Sequence, residues 1–147
     1  MRLTQYTDFS IRVLIYLGLN PERRCTIQEI AEGYAISRNH LMKVVQQLAQ
    51  AGYVESTRGS GGGLRLGHAP EQINLAEVIE EMEPDLSLVE CFRDNNQCVI
   101  TPACRLPPML VRATRAFLDV LREHTLADLL GEQDAADMRV MLRLVDD

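Results

Sequence analysis

The sequence predicts a mainly α-helical chain with one small β-hairpin, followed by an irregular cysteine-rich loop and a long helix. Three observations predict it. Apolar residues recur at the 3.6-residue period in several separate segments. A glycine run, Arg58-Gly59-Ser60-Gly61-Gly62-Gly63, lies between two short stretches of strand character. Three of the four cysteines fall within fourteen residues, as C-x6-C-x5-C from Cys91 to Cys104, in a stretch with no period at all.

A chain of 147 residues with 46% hydrophobic content is one domain by size, or a small domain with a helical extension, and buries a core without disulfides. No apolar run approaches the roughly eighteen residues of a membrane span, and Met1 to Leu19 lacks a signal-peptide cleavage pattern. The expectation is a cytoplasmic protein with no membrane partner, in a compartment that keeps thiols reduced. The net charge is -6, but residues 1–69 carry eight Lys/Arg against five Asp/Glu, and residues 70–147 carry seven against sixteen. A basic first half suits phosphate contacts, and the acidic remainder faces solvent or another protein.

Taken in order, Thr4 caps a first helix in which Tyr6, Phe9, Val13, Tyr16 and Leu17 face the core, ending near Gly18 to Pro21. Thr26-Ile27-Gln28-Glu29 is a T-x-x-E capping box opening a short helix, and Gly33 supplies the turn after it. Ser37 caps a third helix with Leu41, Val44, Val45 and Leu48 inward. Its other face carries Arg38, Asn39, His40, Lys43, Gln46 and Gln47, side chains that bond phosphates and the edges of guanine and adenine. A solvated polar face is the ordinary alternative. Gly52 ends the helix, and residues 53–57 and 64–66 form a hairpin around the glycine run. Short helix, turn, donor-rich helix and glycine-tipped hairpin together make a winged helix-turn-helix DNA-binding domain, with Arg58 and the glycines reaching a phosphate or a minor groove. The rival reading of the glycines, a nucleotide loop, lacks a following Gly-Lys-Ser/Thr and a following helix.

Asn74 and Glu77 begin a fourth helix with Leu75, Val78, Ile79 and Met82 inward and Glu77, Glu80, Glu81 and Glu83 outward, stopped by Pro84. After the cysteines, Pro107-Pro108 suit the first turn of a long helix running to about His124. Its apolar residues, Leu110, Val111, Ala113, Phe117, Leu118, Val120 and Leu121, cover more than one stripe, so one face packs at home and another on a partner: this is the dimerisation helix of a homodimer. Residues 125–130 stay apolar, and from Asp134 a weak helix follows. The chain divides into 1–83, the winged helix-turn-helix domain with its connecting helix; 84–106, the loop; and 107–147, the dimerisation helix and tail.

Cys91, Cys98 and Cys104 sit in a loop with no core of its own, where thiolates binding zinc or an iron–sulfur cluster would take the core's place and leave one coordination position open. Buried thiols and an extracellular disulfide are the bland alternatives. His68 or His124 could complete a zinc site in space, and Cys25 stands alone as a packed thiol. No catalytic constellation stands out, so an enzyme is not expected. A structural zinc-binding interaction module is the second reading, and a thiol redox catalyst the third.

Leu3-Thr-Gln-Tyr-Thr-Asp8-Phe, Ser37-Arg-Asn-His-Leu-Met-Lys-Val-Val45, Gly52-Tyr-Val-Glu55, the Arg58 to Leu66 hairpin and Ile100-Thr-Pro-Ala-Cys104 together resemble the family of iron–sulfur winged-helix regulators that includes IscR and the nitric-oxide-sensing NsrR repressors. The resemblance covers nearly the whole chain. It implies a homodimer with one cluster per subunit on Cys91, Cys98 and Cys104, bound to double-stranded operator DNA until nitric oxide attacks. It also implies 4Fe-4S as the cluster, with 2Fe-2S as an alternative or degradation form. IscR-like members place a histidine ligand three residues after the third cysteine, where this chain has Pro107. The first cysteine gap is also slightly longer than is usual in those members. The resemblance instead makes Asp8 of the partner subunit the fourth ligand; read alone, Asp8 is a carboxylate in the first turn of a helix, favoured by its dipole. An IscR-like regulator of iron–sulfur assembly is the alternative within the family. The candidate DNA contacts are Thr26, Gln28, Ser37, Arg38, Asn39, His40, Lys43, Arg58, Gly59 and Arg65.

Overall fold

The computed structural model describes residues 2–145. Six helices and one hairpin follow in order: α1 (Gln5–Leu19), α2 (Ile27–Tyr34), α3 (Arg38–Gln50), β1 (Val54–Thr57), β2 (Gly63–Leu66), α4 (Leu75–Met82), α5 (Leu106–Arg122) and α6 (Glu132–Met141). Short 3-10 turns lie between them, two of them in the cysteine loop. Mainly helical architecture with a winged helix-turn-helix is thus what the chain adopts.

α1 is the hub. Thr4 caps it through its hydroxyl, which accepts the N–H of Thr7 at 3.3 Å. Val13, Leu14, Tyr16 and Leu17 are buried against α3, α4, β2 and the 3-10 turn at Leu126–Leu129. α2 opens as the capping pattern requires, the Thr26 hydroxyl accepting from the Glu29 N–H at 3.2 Å. The expected turn at Gly33 is corrected. The helix runs through Gly33 to Tyr34, and Ala35 takes the left-handed conformation at φ 53°. Gly33 is small for another reason: a Cβ there would stand 3.2 Å from the Tyr16 ring. α3 buries Leu41, Val44, Val45 and Leu48, but the Ser37 hydroxyl at its start makes no capping bond. Gly52, at φ 86°, turns the chain into β1, and that sign of φ is what favours glycine there.

β1 and β2 pair antiparallel with Val54 opposite Leu66 and Thr57 opposite Gly63. Cys25 adds a further rung, exchanging backbone bonds of 2.8 and 2.7 Å with Leu64 and tying the hairpin to the α1–α2 connection. The Asn74 side chain caps α4, accepting from the N–H groups of Ala76 and Glu77. Glu83 requires a second correction. Instead of pointing outward with its acidic neighbours it is buried, with one carboxylate oxygen turned to the first turn of α1.

α5 packs on α4 in a small second core of Ala76, Ile79 and Leu118. The chain then returns to the first domain: Leu75 donates to the His124 carbonyl, Leu126 donates to Ile73, and the Leu126 side chain is fully buried in the main core. The tail has a place too. Arg139 of α6 donates twice to the Leu19 carbonyl, at 3.2 and 3.1 Å, satisfying the C-terminal end of α1. Among the described residues no helix is long and apolar enough to cross a membrane.

Candidate functional site

The helix-turn-helix presents α3 outward. Arg38, Asn39, Lys43 and Gln46 are exposed along its polar face, as are Thr26 and Gln28 at the start of α2 and Ser37 before α3. Two other polar side chains of α3 are engaged within the protein. His40 is half-buried, its ring edge-on to Phe9 of α1 with centroids 5.0 Å apart, and Gln47 donates to the Glu81 carbonyl at 3.1 Å. Tyr6 of α1 donates to the Lys43 carbonyl at 2.7 Å. The polar face of α3 is therefore held by α1 as well as by the core face of α3. At the hairpin, Arg58 and Gly59 are exposed beside the tip, where Gly59 and Gly61 both have positive φ. Arg65 pairs with Glu55 across the strands on the exposed face.

The cysteine loop is held by short-range bonds. Asn96 accepts from the Cys98 N–H through its side-chain oxygen and donates to the Thr101 hydroxyl, which in turn donates to the Cys98 carbonyl. Glu90 accepts from the Gln97 N–H. From Pro84 to Phe117 no described residue is buried. All four cysteines are free thiols: Cys98 is exposed, Cys91 and Cys104 are half-buried, and Cys25 is fully buried. Burial pushes the Cys25 thiol up to about 11, with Arg23 opposing and Glu29 adding to the shift. That thiol is inert packing.

Asp8 lies on α1, half-exposed, bonded to Arg12 one turn on at 2.7 Å. Arg12 also stands over the Phe9 and Tyr34 rings at 5.7 and 5.9 Å. Among the described residues no three His, Cys, Asp or Glu side chains are grouped as ligands of one ion. Neither His68, exposed near Gly52, nor His124, beside Asp128, joins the loop thiols in such a group. The donors nevertheless fit an iron–sulfur cluster by their chemistry. Three free thiols share one loop, and soft thiolates are the ligands such clusters take.

Residues 3–132 match the Rrf2 family, described as an iron-dependent transcriptional regulator. The chain belongs to the Rrf2 family. It is 51% identical to the HTH-type transcriptional regulator NsrR of Bacillus licheniformis over 136 residues, 91% of this chain and 95% of that protein. With NsrR of Bacillus subtilis it shares 49% over 146 residues, 98% of this chain and 99% of that one. Among solved structures, CymR, the global cysteine regulator of B. subtilis, superposes with TM-score 0.71 at 28% identity, over 88% of this chain and 95% of that one. IscR of T. potens gives TM-score 0.71 at 23% identity over 92% and 90%, a likeness of fold. As a member of the Rrf2 family with NsrR relatives, the protein is a transcriptional regulator built on a DNA-binding fold. Neither an enzyme nor a separate interaction module describes it.

The Rrf2 chain carries three features that hydrophobic periodicity did not signal: the Glu83 contacts with α1, the Arg12 partner of Asp8 and the Tyr6 bond to α3. Only the second left a trace in the sequence, as an Asp/Arg pair at i, i+4.

Proposed function

We propose that the protein is a nitric-oxide-responsive repressor that binds double-stranded operator DNA as a homodimer carrying one iron–sulfur cluster per subunit. The observation that carries this is the joining of three free thiols in a coreless loop to a winged helix-turn-helix through α4 and α5. The NsrR relatives, at 51% and 49% identity, support it. Cys91, Cys98 and Cys104 would hold the cluster, with 4Fe-4S the type the NsrR likeness favours and Asp8 of the partner subunit as the fourth ligand. When bound, the cluster supplies iron that nitric oxide attacks, and a hard carboxylate is the weakest of the four ligands.

The chain's own residues do the rest. Leu106, Met109 and Val120 leave an apolar face of α5 open to water at 50–60% exposure, and this face pairs the two copies. Pairing sets two α3 helices into successive major grooves of an inverted repeat, with Arg38 and Asn39 reading base edges and Lys43 on phosphate. Arg58 and the tip glycines enter the flanking minor groove. Asp8 ties one subunit's reading head to the other's loop. When thiolates and carboxylate no longer hold a cluster in common that tie is gone, the spacing of the reading heads is no longer fixed, and affinity falls.

Anaerobic isolation tests the reading. Brown protein with 4Fe-4S Mössbauer parameters, dimeric, retaining a duplex selected from a random pool and releasing it on nitric oxide treatment, is the expected result. Colourless protein, or a monomer that selects no sequence, overturns it.

A further inference from the structure

Among the described residues Glu83 is the one buried charged side chain. A buried carboxylate is costly unless its lone pairs are met. Its Oε2 accepts from the Thr4 N–H at 3.0 Å, the Thr4 hydroxyl at 3.2 Å and the Thr7 hydroxyl at 2.6 Å. None of the salt bridges found among the described residues involves it. Its negative charge is answered by the N-terminal end of α1 and by donors aimed at one oxygen.

The simplest reading is a staple for stability. The position in the chain says more. Glu83 is the residue that closes α4, Pro84 follows, and the loop bearing Cys91, Cys98 and Cys104 hangs from that point. Its partner Thr7 adjoins Asp8, and Tyr6 on the other side of Thr7 is bonded to the Lys43 carbonyl of α3. Two residues before Glu83, the Glu81 carbonyl accepts from Gln47, again of α3. The end of α4, the first turn of α1 and the recognition helix thus form one hydrogen-bonded knot. A surface groove of about 460 Å³ lies beside the knot, lined by Thr4, Tyr6, Lys43, Gln47, Met82 and Pro84.

We infer that Glu83 is a positioning residue that transmits the state of the cysteine loop to the first turn of α1, and through Tyr6 to α3. The inference rests on the cluster-dependent DNA binding proposed above. A displacement at the root of the loop moves the carboxylate, and Thr4 and Thr7 follow because their donors have that oxygen as acceptor. The turn that carries Asp8 then shifts, and the Tyr6 hydroxyl draws on the backbone of α3.

The test measures the affinity of the full-length dimer, cluster-loaded and cluster-free, for a duplex selected from a random pool by the loaded wild-type protein. The ratio of the two affinities is the coupling, on the order of 5–150-fold for allosteric proteins. Glu83→Gln, which removes the charge and one acceptor, should shrink that ratio by about tenfold, or to near unity where it starts lower, because bonds to charged groups are the strong ones. Thr7→Val, of the same shape without the hydroxyl, should do likewise, and Thr7→Ser should keep the wild-type ratio. Folded Glu83→Gln and Thr7→Val proteins with the wild-type ratio overturn the inference and leave the proposed function standing. Two variants that cannot fold, beside a normal Thr7→Ser, overturn it too, since Glu83 is then a staple alone. A wild-type protein that binds its duplex equally with and without cluster refutes the proposed function and this inference together.

Discussion

Asp8→Ala separates a cluster ligand from a solvated carboxylate, because the structure bounds what the second role is worth. Asp8 bonds Arg12 at 2.7 Å with both side chains nearly half exposed, a geometry in which an i, i+4 pair contributes about 0.3–0.5 kcal/mol. Its place in the first turn of α1 adds roughly 0.3–1 kcal/mol from the helix dipole, and alanine's better helix propensity recovers part of the loss. Cluster-free Asp8→Ala should therefore unfold in urea within about 1.5 kcal/mol of wild type. As a ligand, Asp8 matters far more to the loaded dimer. Losing a residue that merely supports a ligand costs roughly 10–100-fold in metal affinity, so losing the ligand should speed cluster loss at least that much and change the visible spectrum. Arg12→Gln is the control, since it breaks the same ion pair and leaves the carboxylate in place. It should match Asp8→Ala in urea and match wild type in spectrum. An Asp8→Ala protein with wild-type spectrum, cluster-loss rate and nitrosylation rate refutes the assignment.

The other predictions need less apparatus. In cluster-free folded protein at pH 8, three thiols should react quickly with a disulfide reagent and the fourth only in denaturant, because burial holds Cys25 at about 11, where almost none of it is thiolate. The sign follows for stability: with its pKa raised on folding, Cys25 contributes fully at neutral pH and loses its contribution as pH rises from about 9 towards 11. Four fast thiols would contradict this. Lys43→Ala should weaken binding to all duplexes alike and lower the salt slope by about 0.9, the signature of one phosphate contact. Arg38→Ala should instead relax preference at one base pair by about 1–3 kcal/mol, read by competition between duplexes. Val120→Asp, at a position 58% exposed in the single chain, should give a folded monomer by sedimentation, and an unchanged dimer would move the interface away from α5.

Where one local rule decided a feature, the sequence was legible. The Thr4 cap, the inward rows of α1, α3 and α4 and the glycine-tipped hairpin all follow from period and turn chemistry, and all are present. Gly33 misled because a glycine needed for closeness to Tyr16 looks, in sequence, like one needed for positive φ. Glu83 misled because it sits one residue past the last helical turn, at φ -85° and ψ 116°, where the 3.6 period no longer says which way a side chain points. Its partners lie 76 and 79 residues away, beyond any window. The tail's anchorage through Arg139 to Leu19 is equally non-local, at 120 residues. In the cysteine loop the spacing of the thiols was plain but their arrangement was not, since no buried residue dictates one path.

The switch proposed above would work through how closely α1 is committed. Four consecutive residues meet three different surroundings: Tyr6 bonds α3, Thr7 bonds the end of α4, Asp8 faces solvent beside Arg12, and Phe9 packs on His40 of α3. Successive helical residues point about 100° apart, so this turn cannot rotate or slide without disturbing several of these contacts at once. Shifts of roughly 1–2 Å are the ordinary scale of helix movement at interfaces. Moved by that much, Tyr6 and Phe9 would lose a 2.7 Å hydrogen bond and an edge-on ring contact. Both are fixed points for the helix that carries Arg38, Asn39 and Lys43. On the proposed function, a signal needs only to reach the first turn of α1 to reach the face of α3 offered to DNA; Asp8 belongs to that turn and Glu83 bonds it from the end of α4.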